Sequence, residues 1–297
     1  LSRVVNGGQK LTPKQLKEVE PIVTRYGYVP TRGAKIISVV NNKGGVGKTT
    51  TSINLGAALN HLGYRVLIID MDPQGNASLN FGYRDPLNQM VDVLLTSRNL
   101  PIRDVILPIG KDIDIAPTNS KLGQATLEMQ NNPMVGYERM SEVLAEIKHE
   151  YDYIFIDCPP SLEMLTGTSL VASTGVIIVS EPEPYSSTGL ENVFILLKAV
   201  RKMNPNLGVE GILFSHVKKN TSLHKDYMDR IRQQLKGTYR VFESVIRDNI
   251  SLPEAVEGQS TIFDYDLNSN GAKDYLSLAK EISPEQIKKK GKELIDG

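Results

Sequence analysis

Cysteine is nearly absent: Cys158 is the single one in 297 residues. That excludes a disulfide framework, and also a cysteine-ligated zinc site or iron–sulfur cluster built within one chain. Net charge is absent too, with 34 Lys and Arg against 34 Asp and Glu. Global charge therefore says nothing about a nucleic-acid partner, and any such surface must be a local patch. No apolar run approaches the ~18 residues of a membrane span. The start carries no basic-then-apolar lead of the secretory kind, so the expected compartment is cytoplasmic. Internal repeats and low-complexity blocks are missing. The length suits one large α/β domain with a short appendage, or two small domains.

What is present centres on Val39-Val40-Asn41-Asn42-Lys43-Gly44-Gly45-Val46-Gly47-Lys48-Thr49-Thr50. An apolar β-branched run, Ile36–Val40, leads into it, and Ser52–Leu59 reads as a helix with an apolar face. Strand, glycine loop and helix form the context that a phosphate-binding loop requires. Gly44, Gly45 and Gly47 let the backbone turn tightly, so that successive N–H groups point at a phosphate. The helix N-terminus adds its positive dipole end. Lys48 is placed to reach the β- and γ-phosphates, and the Thr49 hydroxyl to ligate Mg²⁺.

The usual pattern begins with a glycine four residues before Gly-Lys-Thr; Asn42 stands there, and a second lysine, Lys43, lies inside the loop. This resembles the deviant Walker A motif of the ParA/MinD family of P-loop ATPases. The resemblance implies ATP and Mg²⁺ as cofactors, with residues 43–50 (Lys43, Gly44, Gly45, Val46, Gly47, Lys48, Thr49, Thr50) holding the nucleotide. It also implies that Lys43 crosses a homodimer interface to the partner's nucleotide. The nitrogenase iron protein and the cluster-scaffold relatives share this loop but need paired cysteines, which this chain lacks.

Two further motifs close apolar strands. Ile68-Ile69-Asp70-Met71-Asp72-Pro73-Gln74-Gly75-Asn76 puts two carboxylates, a proline and a glycine at a strand end, where an α/β sheet forms its ligand crevice. It resembles the family's switch motif, which implies that Asp72 orients the attacking water and that Asp70 supports either the Mg²⁺ shell or the loop. Tyr153–Asp157, followed by Cys158-Pro159-Pro160, has the form of a Walker B strand, whose Asp157 holds a metal-bound water. Cys158 has no neighbouring His or Lys in sequence and reads as a packing residue.

From Lys35 onward short strands alternate with helices. Strands are expected at Ile36–Val40, Arg65–Asp70, Ile113–Ala116, Tyr153–Asp157, Val176–Ser180, Val209–His216 and Val241–Ile246. Helices are expected at 49–62, 136–148, 187–203, 223–236 and 270–282. That alternation gives an α/β fold: a doubly wound, mostly parallel twisted sheet with helices on both faces. Residues 81–131, with four prolines, read as an irregular surface connection carrying short helices such as Val91–Leu95. Three regions are expected: an N-terminal extension over 1–34, an ATPase domain over 35–283, and a basic polar tail over 284–297. In the extension, Thr12-Pro13 opens a helix to about Tyr26 with Leu16, Val19, Ile22 and Val23 on one face and Pro21 inside it. It serves either as a surface helix or as an arm toward a dimer partner or DNA.

The stretch Val245–Ala255 together with 263–281 resembles the C-terminal signature of ParA proteins, whose loop flanks the adenine. The resemblance covers roughly Lys35 to Ile282. It implies non-specific double-stranded DNA and a centromere-binding, ParB-like protein as partners, and a nucleoid-associated location. Residues 201–250 hold ten Lys or Arg against five Asp or Glu. Such clusters are ordinarily solvated helix faces, and sequence-independent DNA binding needs only cations facing phosphates. The family often has arginines in the two loops after these strands; here Asn220, Asp248 and Ser251 stand at those positions, with Lys218, Lys219 and Arg247 beside them as candidate DNA contacts. His216 reads as a satisfied structural residue or as a stacking partner for adenine. MinD relatives end in an amphipathic membrane helix, whereas this tail lacks the broad apolar face a membrane surface needs. The alternative is a MinD-like positioning or regulatory ATPase acting on a membrane or a protein scaffold.

Overall fold

The computed structural model describes residues 33–184, 186–218 and 221–283. Within them, β1 (Lys35–Val40), β2 (Val66–Asp70), β3 (Leu107–Gly110), β4 (Ile113–Ala116), β5 (Tyr153–Asp157), β6 (Gly175–Ser180), β7 (Gly208–Val217) and β8 (Val241–Arg247) form one sheet. Their order is β3-β4-β2-β5-β1-β6-β7-β8. Every pairing is parallel except β3 with β4. The expected helix over 13–26 and the tail over 284–297 lie outside the described residues.

The central strands are apolar on both sides because both sides are covered. In β1, Ile36 and Val40 face one core, and Ile37 and Val39 the other. The first core is closed by α3 (Met90–Leu94), α4 (Leu122–Asn131), α5 (Pro133–Ala145), α6 (Met164–Ala172), α7 (Ser186–Val200) and α8 (Ser222–Leu235). The second is closed by α1 (Lys48–His61), α9 (Ser251–Glu257), α10 (Ile262–Tyr265) and α11 (Asn270–Ile282). A short helix, α2 (Asn76–Asn80), follows β2. The α/β, doubly wound expectation holds.

Three local readings change. α1 is buried nearly all round from Thr51 to Leu59, with no polar outer face, because α10 and α11 cover it. The 81–131 connection is not a surface loop: Met90, Val91, Val93 and Leu94 are core residues, and the stretch contains β3 and the whole of α4. β3 escapes notice because it is short, holds Pro108 and Gly110, and pairs through a bulge at the sheet edge, where proline is tolerated. α6 was not expected at all. Its Thr166, Thr168 and Ser169 are buried with Leu165 and Leu170, so no polar face marks the helical period.

β1 lies between β5 and β6, where the chain switches from building one side of the sheet to the other. Ligands of open α/β sheets bind outside the carboxyl ends of the strands at such a point. Register aligns the motifs there: Asp157 sits opposite Val39 on one side and Asp70 on the other.

Candidate active site

The glycine loop leaves β1 and turns into α1 with Gly45 at φ 76° and Gly47 at φ 86°. Neighbouring strands pin it from outside. Ser215, at the end of β7, donates its hydroxyl to the Val46 carbonyl at 2.6 Å. Asn41 donates to the Val179 carbonyl on β6 and accepts from the Lys43 N–H at 2.9 Å. A Cβ at Gly44 or Gly45 would meet nothing within 4 Å, so open space lies beside both. Lys48 is buried and donates to the Lys43 carbonyl at 2.9 Å. Burial lowers its ammonium pKa, against the opposing pull of Asp157, Cys158 and Asp72. A cation held in this way gains from an anion brought beside it.

Asp157 is fully buried at the end of β5. Its Oδ1 accepts from the Ser52 hydroxyl at 3.1 Å, and the Thr49 side chain lies close enough to favour its charged form. Its Oδ2 has no partner within the protein. Burial pushes this carboxyl up, with Thr49, Ser52 and Lys48 opposing. An orphaned carboxylate oxygen beside a threonine hydroxyl is the donor set that suits a hydrated divalent cation. Cys158 is buried with its thiol pushed up to about 12, in keeping with a packing role.

The structure separates the two switch carboxylates. Asp70 is completely buried: its Oδ2 accepts from the Ser78 N–H at 2.8 Å and the Ser78 hydroxyl at 2.7 Å, and its Oδ1 from the Asp72 N–H at 3.2 Å. Both oxygens accept from the switch loop, the arrangement that the loop-support alternative for Asp70 requires. Burial, then the neighbouring Asp157, raise its pKa. Ser78 passes the anchorage on by accepting from the Thr118 N–H at 2.8 Å. The charge of Asp72 is felt by both Lys48 and Asp157, and its Oδ1 caps the turn by accepting from the Gln74 N–H. Gly75 completes that turn at φ 64°, donating to the Asp72 carbonyl at 2.8 Å.

Beside the loop opens a cavity of about 810 Å³ lined by Gly47, Thr50, Ser215, His216, Asn249, Ile250, Leu252, Pro253 and Val256. Tyr275 forms part of its lining, its hydroxyl 3.2 Å from that of Thr51. The Val245–Ala255 stretch does flank this space. His216 borders it in a left-handed conformation, φ 52°. Arg247, expected among the DNA contacts, is forked onto Asp274 at 2.6 and 2.8 Å and largely buried. It is a post between β8 and α11 rather than a free surface cation. Lys218 is exposed, while Lys219 lies outside the described residues.

Lys43 is half-exposed and ion-paired within its own chain, at 2.6 Å to Glu181 and 2.8 Å to Glu183. Sequence reasoning passed over these two carboxylates, and over Ser215 and Asn41. The signal for Glu181 and Glu183 was there: Ser180-Glu181-Pro182-Glu183-Pro184 places two acids and two prolines at a strand end, the same mark that singled out Asp70 and Asp72.

The profile of a family described as an AAA domain matches residues 34–209. The sporulation initiation inhibitor protein Soj of Bacillus subtilis is 38% identical over 254 residues, covering 84% of this chain and 98% of Soj. The chromosome partitioning protein ParA of Myxococcus xanthus is 35% identical over 252 residues, covering 84% and 87%. The chain belongs to the ParA/Soj family of partition ATPases. Among solved structures, a MinD from Pyrococcus horikoshii complexed with Mg-ADP superposes on this ParA-family chain with a TM-score of 0.68 at 26% identity, covering 84% of this chain and 96% of that one. A cobyrinic acid a,c-diamide synthase from Mycobacterium smegmatis, with bound ADP and magnesium, gives 0.71 at 27%, covering 83% and 93%.

Proposed function

We propose that this ParA-family chain is a DNA-partition switch that binds ATP with Mg²⁺, pairs face to face with a second copy, and coats DNA without sequence preference. Residues 43–50 hold the triphosphate, with Lys48 on its terminal phosphates. The Thr49 hydroxyl and Asp157 hold the metal, directly or through water. Bound there, Mg²⁺ would supply positive charge that offsets the charge developing on the triphosphate. Asp72 orients the attacking water, and Asp70 keeps Asp72's loop in place. The cavity beside Gly47 receives the base. Lys43 reaches the partner's nucleotide, so that hydrolysis, weak alone and stimulated by a centromere-binding ParB-like protein, releases the dimer. The observation that carries the reading is the buried Asp157 carboxylate, its Oδ2 unpartnered, set opposite Val39 on the strand that leads into the glycine loop.

The DNA surface falls on exposed Lys202, Lys218, Lys225, Arg230 and Lys236. Arg201, Arg232, Arg240 and Arg247 are tied to protein acceptors instead. We place the protein in the cytoplasm on the nucleoid. Among the described residues no helix is long and apolar enough to cross a membrane. DNA binding measured with ATP and with ADP across a salt series tests the reading. Affinity should require ATP, and log affinity should fall with log salt by about 0.9 per phosphate contact. Binding indifferent to nucleotide, or ATP-dependent binding to vesicles in place of DNA, would favour the MinD-like alternative.

A further inference from the structure

Resting on that dimer reading, one contact gains meaning. Lys43, the cation sent to the partner, already has occupants for its charge. Its ammonium donates to Glu181 Oε2 and Glu183 Oε2 at 2.6 and 2.8 Å. Both sides of the contact are held in advance. The Lys43 backbone is fixed through its N–H to Asn41 and its carbonyl to Lys48. The acidic side is stiffened by Pro182 and Pro184, whose φ is locked. It is tied further by Ser186, whose hydroxyl donates to the Glu181 carbonyl at 2.5 Å and whose N–H donates to that of Glu183 at 3.1 Å. The Glu181 side chain is mostly buried, so its charge is screened less than that of a surface acid. A neighbour stands ready for Glu181 once the lysine leaves: His216 Nε2 lies 4.0 Å from its other oxygen.

We infer that Glu181 and Glu183 are positioning residues that keep Lys43 inside its own subunit until a partner's triphosphate outcompetes them, and so set the threshold for dimer formation. The terminal phosphate oxygens of a triphosphate are those ADP lacks, so only ATP offers the Lys43 ammonium a competing set of anionic acceptors. The exchange therefore favours the dimer with ATP and the latch with ADP. The same pair raises the Lys43 ammonium above its ordinary value, which suppresses the free amine while the latch is closed.

The test compares the full chain with the Glu181→Gln/Glu183→Gln variant, nearly isosteric and uncharged. Without nucleotide, an amine-acylating reagent read by mass spectrometry should label Lys43 several-fold faster in the variant, with exposed Lys225 as internal reference. Equal labelling overturns the cis contact. With a non-hydrolysable ATP analogue and Mg²⁺, the variant should dimerise at roughly tenfold lower protein concentration, since each partly exposed pair is worth a factor of a few and one latch opens in each subunit. Affinity for a fluorescent ADP should not change. An unchanged or weakened dimer in the variant overturns the threshold role. Should both proteins stay single at saturating analogue, the dimer reading falls and takes the threshold role with it, while the labelling still reports on the cis contact. Glu183→Gln alone, at a half-exposed side chain, should move both readouts in the same direction by less, and no movement counts against the inference.

Discussion

Replacing Gly75 by alanine should damage the switch loop in a way the geometry makes calculable. Gly75 sits at φ 64°, where a side chain strains the backbone, and its Cβ would lie 2.8 Å from the Thr118 carbonyl oxygen. The left-handed conformation costs about 1–2 kcal/mol for an L-residue. Overpacking against a neighbour that cannot swing away costs about 1–3 kcal/mol. Thr118 is such a neighbour, because its N–H is held by Ser78, which is held by Asp70. With partial relaxation the sum is about 3 kcal/mol. At roughly 2–4 °C per kcal/mol for a domain of this size, the melting temperature should fall by about 6–12 °C. The relaxation that limits the damage must move Asp72, whose carbonyl accepts from the Gly75 N–H, so turnover should drop more than tenfold in protein that is still folded at the assay temperature. Gly123 is the control. It lies in α4 with nothing within 4 Å of its Cβ site and no positive φ, and alanine there should be neutral or stabilising by about 0.5–1 kcal/mol. Thermal melts and ATPase rates on both variants decide it. A Gly75→Ala protein that melts within a degree of the parent, with unchanged turnover, would refute the reasoning.

Ser215→Ala should leave the buried Val46 carbonyl without its donor, costing about 1–3 kcal/mol and weakening nucleotide binding, with Ser215→Thr restoring both in melts and titrations. Asp72→Ala should keep nucleotide binding and lose at least tenfold in turnover, trapping the DNA-bound form; unchanged turnover removes its assigned role. Asp274→Ala should uncover the Arg247 guanidinium, costing about 3 kcal/mol in denaturant titrations as one partner of a largely buried pair is removed. If Arg247 were already a free DNA contact, that change would leave stability untouched.

The parts legible in the sequence were those where one residue type has one physical use at one place. The β1 run, the glycines and Lys48 specify a loop whose backbone needs no tertiary information. Asp157 was found because an apolar strand ending in a carboxylate is poor core material. Burial without pattern was harder: α6 hides its period because threonine and serine line its buried side, and β3 is only four residues long and holds a proline and a glycine. Roles that depend on which partner arrives through space were harder still. Asp70 and Asp72 are two residues apart and look alike in sequence; only the approach of Ser78 makes one an anchor. Arg247 looked like a surface cation until α11 brought Asp274 against it. Lys43 and Glu181 stand 138 residues apart and meet only because β1 and β6 are neighbours in the sheet.

The central claim is that two copies clasp nucleotide between them through Lys43. Light scattering on a sizing column, with a non-hydrolysable ATP analogue and Mg²⁺, tests it on the parent and on Lys43→Ala. The account predicts a dimer for the parent with the analogue, single chains with ADP, and single chains for Lys43→Ala even though it still binds the analogue. A parent protein that stays single at saturating analogue, or a Lys43→Ala protein that dimerises as readily as the parent, would contradict it.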